Sequence, residues 1–382
     1  MSTFTDAITV EELEFDPYPV YARLRQEEPV AWVPALGSWF VTTWHEVRRS
    51  MSDLESFTTV NPATPLARYC GPGNILGREG DAHSQLKESV DDLFAPVHAA
   101  QWAALAESAA REQFDSLVEL GSADLMATYF KPVCVGVIGR YLGLTPAEAS
   151  TVTRWSEGLI AALTNAGQDS AAARPGWQAL AEIDAALGAQ LDRLGRCPDS
   201  SVPSRLLQCA GPADTLATLK MIISALLEPA WLCANTMYAL LTHPQQLAAV
   251  RADPGLTAVA VAEGLRWMGP VGALGRLTTR QVTLGGVVIP AGTPVTPVIA
   301  AANRDGSVFE DAERFDVHRR PAPHLSLGYA RHQCLAVDLV PTVVAATLRV
   351  LLERCAALRM ETQNQPYGFK FRKFSEFPVS WS

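Results

Sequence analysis

The sequence lacks the features that mark secreted or disulfide-stabilised proteins. It has seven cysteines in 382 residues, an odd and scattered set without a Cys-x-x-Cys pair. Such a set predicts no disulfide framework. The first residues also lack the basic start and apolar core of a signal peptide. We therefore expect free thiols and a cytoplasmic location.

Long apolar runs and positive charge are also scarce. The best candidate for a membrane span, 216–241, is interrupted by Lys220, Glu228 and Pro229. It falls short of the ~18 uninterrupted apolar residues that a span needs. The net charge of −9 argues against nucleic acid or an anionic membrane as the main partner. We expect neither to be the main partner of this protein.

What the sequence does have is helical periodicity and a large apolar fraction. Hydrophobic residues make up 48% of the chain, which is enough for a substantial core. Helical patterns run from 81 to about 194 and over 213–241, and Gly285-Gly286 between two short apolar runs predicts a β-hairpin. No internal repeat or linker divides the chain. We predict a mainly α fold with small β-sheets (α+β), formed as a single domain over residues 1–382.

Cys334 is the candidate reactive residue. Pro323 and Gly328 predict a loop before it, and an apolar helical pattern follows from about 335 to 352. This would place Cys334 at a helix N-terminus, which favours a thiolate that acts as a nucleophile, a redox thiol or a metal ligand. A zinc site is disfavoured because no second ligand group stands at the usual spacing. The alternative is a small buried cysteine without a role.

The residues around this cysteine favour the metal-ligand interpretation. Residues 324–336 read His-Leu-Ser-Leu-Gly-Tyr-Ala-Arg-His-Gln-Cys-Leu-Ala. This segment resembles the heme-binding loop of the cytochrome P450 family, whose usual form is His-Leu-x-Phe-Gly-x-Gly-x-His-x-Cys-x-Gly. Leu327 replaces the phenylalanine, and Ala330 and Ala336 replace glycines. The resemblance implies the cytochrome P450 fold, with heme b between a long kinked helix and the Cys loop.

The same resemblance assigns heme contacts to named residues. Cys334 would be the iron ligand, with Gly328 and His332 in its loop. Cationic or titratable side chains would bind the heme propionates: His83, Lys87, Arg276 and His324. The family's usual pair at the first site is His-x-x-x-Arg, so Lys87 is a departure. Lysine neutralises a carboxylate but lacks the bidentate fork of arginine.

A second family feature precedes the cysteine. Glu263 and Arg266 are three residues apart, so they share a helix face and can pair. In the cytochrome P450 family this pair binds an arginine from the segment before the loop, which would be Arg319 here. The alternative is an ordinary surface ion pair, worth under ~1 kcal/mol.

The long apolar helix departs most from the family pattern. Ser224-Ala-Leu-Leu-Glu228-Pro229 falls where the family usually has an acid followed by threonine, so Ser224, Glu228 and Pro229 are the candidate catalytic residues. Pro229 cannot donate to the carbonyl one turn back, which predicts a kink. Apolar surroundings would raise the pKa of Glu228 and suit it to proton relay. The alternative is that Glu228 reaches solvent and the proline only bends the helix.

Some segments resemble one subgroup, the bacterial aryl-ether O-demethylases that act on guaiacol-like methoxyphenols. These segments are Asp-Pro-Tyr-Pro-Val-Tyr-Ala-Arg-Leu-Arg at 16–25, Ala-Glu-Gly-Leu-Arg-Trp at 262–267, Glu228-Pro229 and the ending Gly-Phe-Lys-Phe-Arg at 368–372. The resemblance implies that Leu227 and Phe371 line the substrate pocket. Lys220 replaces an apolar residue of the subgroup. It either binds a substrate carboxylate or extends to solvent.

The resemblance implies an oxidoreductase, a heme-thiolate monooxygenase that uses O2 for O-demethylation or hydroxylation of a small, partly aromatic substrate. Electrons would come from a ferredoxin and ferredoxin reductase, or from a fused ferredoxin-flavin reductase, because the chain has no flavin or iron–sulfur motif. Three alternatives stay open. The first is a biosynthetic enzyme that performs oxidative coupling or another atypical reaction. The others are a heme protein of this fold that has lost oxygen activation, and a heme-free enzyme with Cys334 as nucleophile.

Overall fold

The computed structural model describes residues 3–144, 148–164, 170–320, 322–362 and 364–381, and helices dominate these ranges. In chain order the helices are α1 (Thr3–Ala7), α2 (Val10–Phe15), α3 (Tyr18–Glu27), α4 (Trp44–Ser52), α5 (Pro65–Cys70), α6 (Gly80–Glu88), α7 (Ala99–Asp115), α8 (Lys131–Tyr141), α9 (Ala149–Thr164), α10 (Ser170–Arg196), α11 (Val202–Ala225), α12 (Glu228–Thr242), α13 (Pro244–Ala252), α14 (Leu256–Met268), α15 (Ile299–Ala302) and α16 (Leu339–Arg354).

The strands are short and form small sheets. In chain order they are β1 (Val30–Val33), β2 (Ser38–Val41), β3 (Phe57–Thr58), β4 (Ser122–Asp124), β5 (Arg276–Thr278), β6 (Val282–Leu284), β7 (Val287–Ile289), β8 (Pro294–Pro297), β9 (Leu358–Met360) and β10 (Pro378–Trp381). The largest sheet has the order β1-β2-β8-β5-β3, with β2 and β8 parallel and the other pairs antiparallel. A second sheet has the order β4-β10-β9, and β6 and β7 form a hairpin.

The apolar helix α12 lies at the centre of the molecule. Most of its residues are buried, and it packs against α14 and α16, with α8 on another side. A helix that is apolar all round is stable only when other elements surround it. The main hydrophobic core accordingly includes buried side chains from Tyr69 to Val379, while the buried side chains of the N-terminal elements belong to two smaller clusters.

The kink predicted at Pro229 is a complete break in the helix. Leu226 and Leu227 form a turn between α11 and α12. Because proline has no N–H, the helical hydrogen bond at this point is missing. The Leu226 N–H donates to the Ile223 carbonyl at 3.2 Å, and the Ser156 hydroxyl of α9 donates to the same carbonyl at 2.6 Å. These contacts stabilise the break from both sides.

The predicted fold class is confirmed, with one boundary corrected. The hairpin turn at Gly285 and Gly286 has φ values of 54° and 82°, the positive values that a tight β-turn between twisted strands needs. The long helix predicted from 213 continues back to Val202 across a bend at Gly211, where φ is 75°. The proline that follows this glycine obscured the continuation in the sequence.

The stretch Val202–Thr242 is long and apolar enough to cross a membrane by length and composition. The sequence analysis expected its part 216–241 not to span a membrane, because Lys220, Glu228 and Pro229 interrupt it. In the structure, 67% of the most apolar window is buried inside the fold. Its apolar surface is therefore covered by protein, as expected for a core helix.

Candidate functional site

The loop that carries Cys334, residues 324–336, is called the Cys loop here. Hydrogen bonds within its own backbone hold it in place. The Cys334 N–H donates to the Leu327 carbonyl at 2.8 Å, and the Gly328 N–H donates to the Leu325 carbonyl at 2.9 Å. Gly328 has a φ of 78°, and a Cβ at this position would lie 2.7 Å from the His332 carbonyl oxygen. Only glycine fits such a turn. The loop therefore holds the cysteine in one defined place.

Cys334 does not lie at a helix N-terminus, so that prediction is wrong. Residues 335–338 form turns, and α16 begins five residues after the cysteine, at Leu339. The apolar pattern starts before the helix does, and a helix dipole acts only over the first turn. Burial raises the pKa of the Cys334 thiol to about 11, even though the Ala336 N–H donates a hydrogen bond to it. This argues against a free thiolate nucleophile.

We infer that Cys334 and Glu228 face a shared space inside the fold, which we call the interior cavity. The side chain of Cys334 has open surface, yet burial dominates the pKa of its thiol. Glu228 is likewise partly open, while burial alone raises the pKa of its carboxyl to about 8. This combination of open surface and strong burial effects indicates a space inside the fold. The charge of Glu228 also contributes to the pKa of Cys334, so the two side chains are near each other.

The other residues predicted for this helix occupy different positions. The Ser224 hydroxyl donates to the Met221 carbonyl at 2.7 Å, so it is engaged within its own helix. Leu227 is buried in the core at the helix break. Lys220 lies 2.5 Å from Asp184 of α10. The structure places Lys220 on an external cleft of about 390 Å³ rather than in the interior cavity.

Buried nitrogen atoms without partners gather near the Cys loop. Arg276 is 8% exposed, and its Nη2 has no hydrogen-bond partner among the described residues. Nδ1 of His83 and Nδ1 of His324 also lack partners in this part of the chain. Burial lowers the pKa of each histidine to about 4, and it lowers the pKa of Arg276 to about 10. A buried donor without a hydrogen-bond partner destabilises the folded state. An anion that accepts hydrogen bonds from these side chains would remove that cost.

His332 joins this group through an acid that the sequence analysis missed. Its Nε2 lies 3.1 Å from Glu79 Oε2, and its ring packs edge-on against His83 at 4.5 Å. Burial raises the pKa of Glu79, but hydrogen bonds from His332 and Thr59 outweigh it and lower the pKa to about 2. The position of Glu79, four residues before His83, was the available signal. Lys87 completes the group, with Nζ 3.4 Å from the Gln333 carbonyl.

Glu263, Arg266 and Arg319 form a buried network. Arg266 donates to both carboxylate oxygens of Glu263 at 2.7 Å, and the Arg319 Nε lies 3.1 Å from Glu263 Oε1. Glu263 and Arg266 are each 3% exposed. The alternative of an ordinary surface pair is therefore excluded. Arg266 also donates to the carbonyls of Asn303 and Ala312.

Asn303 connects this network to the Cys loop. Its side-chain oxygen accepts a hydrogen bond from the Leu325 N–H at 2.8 Å, and its amide group contacts the Ser326 hydroxyl at 2.8 Å. The Ser326 hydroxyl donates in turn to the Leu265 carbonyl on α14 at 2.5 Å. The start of the loop is thus bound to the helix that carries Glu263.

Comparison over the full length decides the family. The chain is 33% identical over 367 residues to the cytochrome P450 monooxygenase PikC of Streptomyces venezuelae, covering 91% of this chain and 85% of that relative. It is 30% identical over 384 residues to the mycinamicin IV hydroxylase/epoxidase of Micromonospora griseorubida, covering 94% of each. The chain belongs to the cytochrome P450 family. Its relatives identify it as a monooxygenase, and the cofactor of the family is heme b.

Two further comparisons agree with this assignment. The family profile described as Cytochrome P450 matches residues 238–320, which include the Glu263 network and end before the Cys loop. The structure of P450BioI in complex with an acyl carrier protein ligated to hexadec-9Z-enoic acid superposes with a TM-score of 0.89, covering 97% of this chain and 99% of that chain. At 24% identity this likeness shows the fold.

The residues of this P450 fit heme b. The porphyrin carries propionate carboxylates, and the unpartnered nitrogens of His83, Arg276 and His324 are donors for such anions. Among the described residues no three His, Cys, Asp or Glu side chains converge as a metal site would require. A single cysteine facing the interior cavity suits a metal that brings its other ligands with it. The raised pKa of the Cys334 thiol also agrees with a sulfur that is stabilised by a metal rather than by the protein alone.

The Glu263 network gives a stability prediction. Glu263→Gln leaves Arg266 and Arg319 buried without a carboxylate, so we expect unfolding to require ~3–5 kcal/mol less free energy, with loss of bound heme. Urea unfolding and heme content measure this. The control is Glu27→Gln, which removes an exposed ion pair with Arg23 and should cost under ~0.5 kcal/mol. Equal effects of the two substitutions would contradict the buried role.

Ala330 and Ala336 each replace a glycine of the family loop, so the two positions can be compared in one stability experiment. Ala330 has a φ of 56°, in the left-handed region, where the family has glycine. Ala330→Gly should raise the free energy of unfolding by up to ~1 kcal/mol, because a Cβ is strained there. Ala336 also replaces a family glycine but has no positive φ. Ala336→Gly should instead lower this free energy by ~0.5–1 kcal/mol. Urea unfolding at equal heme content distinguishes them, and changes of the same sign would refute the strain.

Proposed function

We propose that the chain forms a single cytoplasmic heme-thiolate domain, residues 1–382, that oxidises a small and partly aromatic substrate with O2. The observation that supports this most is the interior cavity, with Cys334 and Glu228 facing it. The unpartnered buried donors at the Cys loop supply the remaining contacts that a heme needs. The main core spans Tyr69 to Val379, and the two smaller clusters combine N-terminal residues with residues after 280, which supports one domain.

Each side chain has a defined part in this proposal. Heme b, when bound, supplies the iron that activates dioxygen. Cys334 Sγ is its protein ligand, and the residues that bind the propionates are His83, Lys87, Arg276 and His324. The buried apolar residues of α12 that follow Glu228 would help to exclude water. Since the pKa of Glu228 is about 8, its carboxyl holds a proton at neutral pH and can release it at the cavity wall.

The reaction we favour is O-demethylation of an aryl methyl ether. It is supported by the Glu228-Pro229 break and by Phe371, whose ring lies 5.9 Å from the buried Trp231 on the turn after Glu228. Hydroxylation without loss of carbon is the second candidate, because one relative is a hydroxylase/epoxidase. Turnover of guaiacol separates the two: O-demethylation releases formaldehyde and catechol, whereas ring hydroxylation retains the methoxy group.

Bacterial P450s generally take electrons from separate proteins. For this P450 we propose a ferredoxin with its reductase, or a fused ferredoxin-flavin reductase. The Cys loop offers cationic residues near the protein surface: Arg331 donates to the Gly80 carbonyl at 2.8 Å, and Lys87 lies beside Gln333. An acidic ferredoxin would complement them.

The carbon-monoxide difference spectrum of the reduced protein tests thiolate ligation. We expect a strongly red-shifted Soret band for the native protein, because a thiolate donates electron density to the iron. Cys334→Ser should abolish this band. The control is Cys197→Ser, which changes an exposed cysteine away from the loop and should leave the band intact. A red-shifted band in Cys334→Ser would overturn the assignment of the ligand.

Glu228 gives a pH prediction. Its pKa rises from 4.5 to about 8 on folding, so between these values the folded state holds a proton that the unfolded state releases. The contribution of Glu228 to stability must therefore fall as pH rises through this window. We expect Glu228→Gln to flatten the decline of the unfolding midpoint between about pH 5 and pH 8, and Glu27→Gln to leave it unchanged.

The same substitution tests proton delivery. Glu228→Gln should lower the fraction of consumed NADH that yields product, while heme content stays constant, because glutamine fills the same space without a transferable proton. Unchanged coupling in this variant would remove Glu228 from the proposed reaction.

A further inference from the structure

A second external cleft, of about 390 Å³, lies between α3, the C-terminal ends of α12 and α14, and the segment that follows residue 364. We call it the Arg372 cleft. Its lining includes Tyr18, Tyr238, Trp267, Met268, Gln365 and Arg372. Neither Cys334 nor Glu228 lines it, so this cleft is separate from the interior cavity.

Arg372 is a buried cation without an acid beside it. The residue is 5% exposed, and it forms no ion pair within the described ranges. Arginine is almost never fully buried unless an acid pairs with it, because a buried charge without a partner destabilises the folded state. Arg266 follows this rule through Glu263, whereas Arg372 departs from it. An anionic ligand would supply the missing partner.

The protein uses only part of the Arg372 guanidinium. Nη1 donates to the carbonyls of Glu14 at 3.3 Å and Phe15 at 2.9 Å, at the end of α2. Nε has no hydrogen-bond partner among the described residues, and Nη2 donates to none of them. Nε and Nη2 together form the edge of a guanidinium that binds both oxygens of a carboxylate. This edge is therefore left for a ligand.

The backbone holds this side chain in a defined place. The Arg372 N–H donates to the Pro270 carbonyl at 2.8 Å, and the Arg372 carbonyl accepts a hydrogen bond from the Asn235 amide of α12 at 3.0 Å. The same amide group donates to the carbonyl of Met268, in the wall of the cleft, at 3.0 Å. A cation that is fixed in this way loses little conformational freedom when a ligand binds to it.

Two acids also line the cleft, and both have other contacts. Glu313 lies 3.0 Å from Arg304 and 2.7 Å from Arg25, so two other guanidinium groups share its charge. Asp16 Oδ1 accepts a hydrogen bond from the Tyr18 N–H at 3.3 Å. Neither acid forms an ion pair with Arg372, whose charge is therefore available to a ligand.

The other walls of the Arg372 cleft are aromatic or apolar. Tyr238 packs against Phe374 with ring centroids 5.3 Å apart, and Met268 and Trp267 continue this wall. The Trp267 indole is fixed by a hydrogen bond from Nε1 to the Glu313 carbonyl at 2.8 Å. Sites for small molecules combine such walls with a few polar groups that fix the orientation. A molecule with one anionic group and one ring matches this cleft.

We propose that the Arg372 cleft binds a small aromatic carboxylate at a site outside the interior cavity. The two carboxylate oxygens accept hydrogen bonds from Nε and Nη2 of Arg372, and the ring lies along the wall formed by Tyr238 and Met268. Binding at this site does not depend on the oxidation proposed above. Because Arg372 joins the C-terminal segment to α2, the bound carboxylate stabilises this junction by neutralising the charge within it.

The test compares benzoate with the neutral benzamide, and equilibrium dialysis measures the binding of each to the holoenzyme. We expect the native protein to bind benzoate more tightly by on the order of 10- to 100-fold, the range for a charge-assisted hydrogen bond. The Soret band, recorded at each concentration, should not shift, because Cys334 does not line this cleft. Arg372→Gln should bring the ratio of the two affinities close to unity.

A second variant leaves Arg372 in place, because Arg372→Gln also removes the hydrogen bonds to α2. Gln365→Glu adds a negative charge of almost the same shape to an exposed residue of the cleft wall. It should weaken benzoate binding by about 5-fold or more through charge repulsion, with the urea unfolding midpoint unchanged. The control Gln101→Glu adds the same charge to an exposed position of α7 and should leave benzoate binding unchanged.

Other results overturn the proposed site. These are a native protein without preference for benzoate, including the case in which neither probe binds, and equal effects of Gln365→Glu and Gln101→Glu. Benzoate binding that shifts the Soret band and survives both cleft substitutions would place the ligand in the interior cavity instead. The carbon-monoxide spectrum of the same samples keeps the two proposals apart. Loss of the red-shifted band in the native protein refutes the proposed function, whereas an intact band without benzoate preference refutes the Arg372 site alone.

Discussion

The buried carboxylate of Glu263 is the constraint on which the site depends. It holds the Arg266 guanidinium, and Arg266 in turn binds carbonyls in the segment that precedes the Cys loop. One of these carbonyls belongs to Asn303, whose side chain then fixes the start of the loop at Leu325. Cys334 is thus positioned by a continuous series of hydrogen bonds from α14. Such a network is stable only while every charge in it stays paired, because an uncompensated buried charge costs several kcal/mol.

A different principle applies around the interior cavity, where charged and polar groups are left unpaired. Arg276, His83 and His324 carry nitrogens without partners among the described residues, and Glu228 is held in a place that disfavours its charge. Proteins tolerate such groups where a ligand supplies the missing partner or where the shifted pKa serves the chemistry. The network of paired charges around Glu263 therefore keeps the site rigid, whereas the groups without partners are available to bind a ligand.

The sequence predicted those features that depend on local chemistry. Pro229 lacks the N–H that a helix interior needs, which predicts a kink, and Gly285-Gly286 favours a tight hairpin turn. Prediction from the sequence failed where the deciding contact joins residues that are far apart in the chain. The apolar pattern after Cys334 continues into the turns, so periodicity could not locate the start of α16 at Leu339. The sequence predicted that Lys220 lies near the substrate pocket. In the structure it forms an ion pair with Asp184 of another helix instead. The only sequence signal for Glu79 was its position four residues before His83, and its role became clear from its contact with His332.

The break at Leu226 and Leu227 also separates two sets of packed helices. α11 packs mainly on α9 and α10, whereas α12 packs on α14 and α16, the helices next to the Cys loop. Because Pro229 removes the helical hydrogen bond across this joint, we expect that a change in the direction of α11 would not be passed on to α12 and to the helices beside the Cys loop.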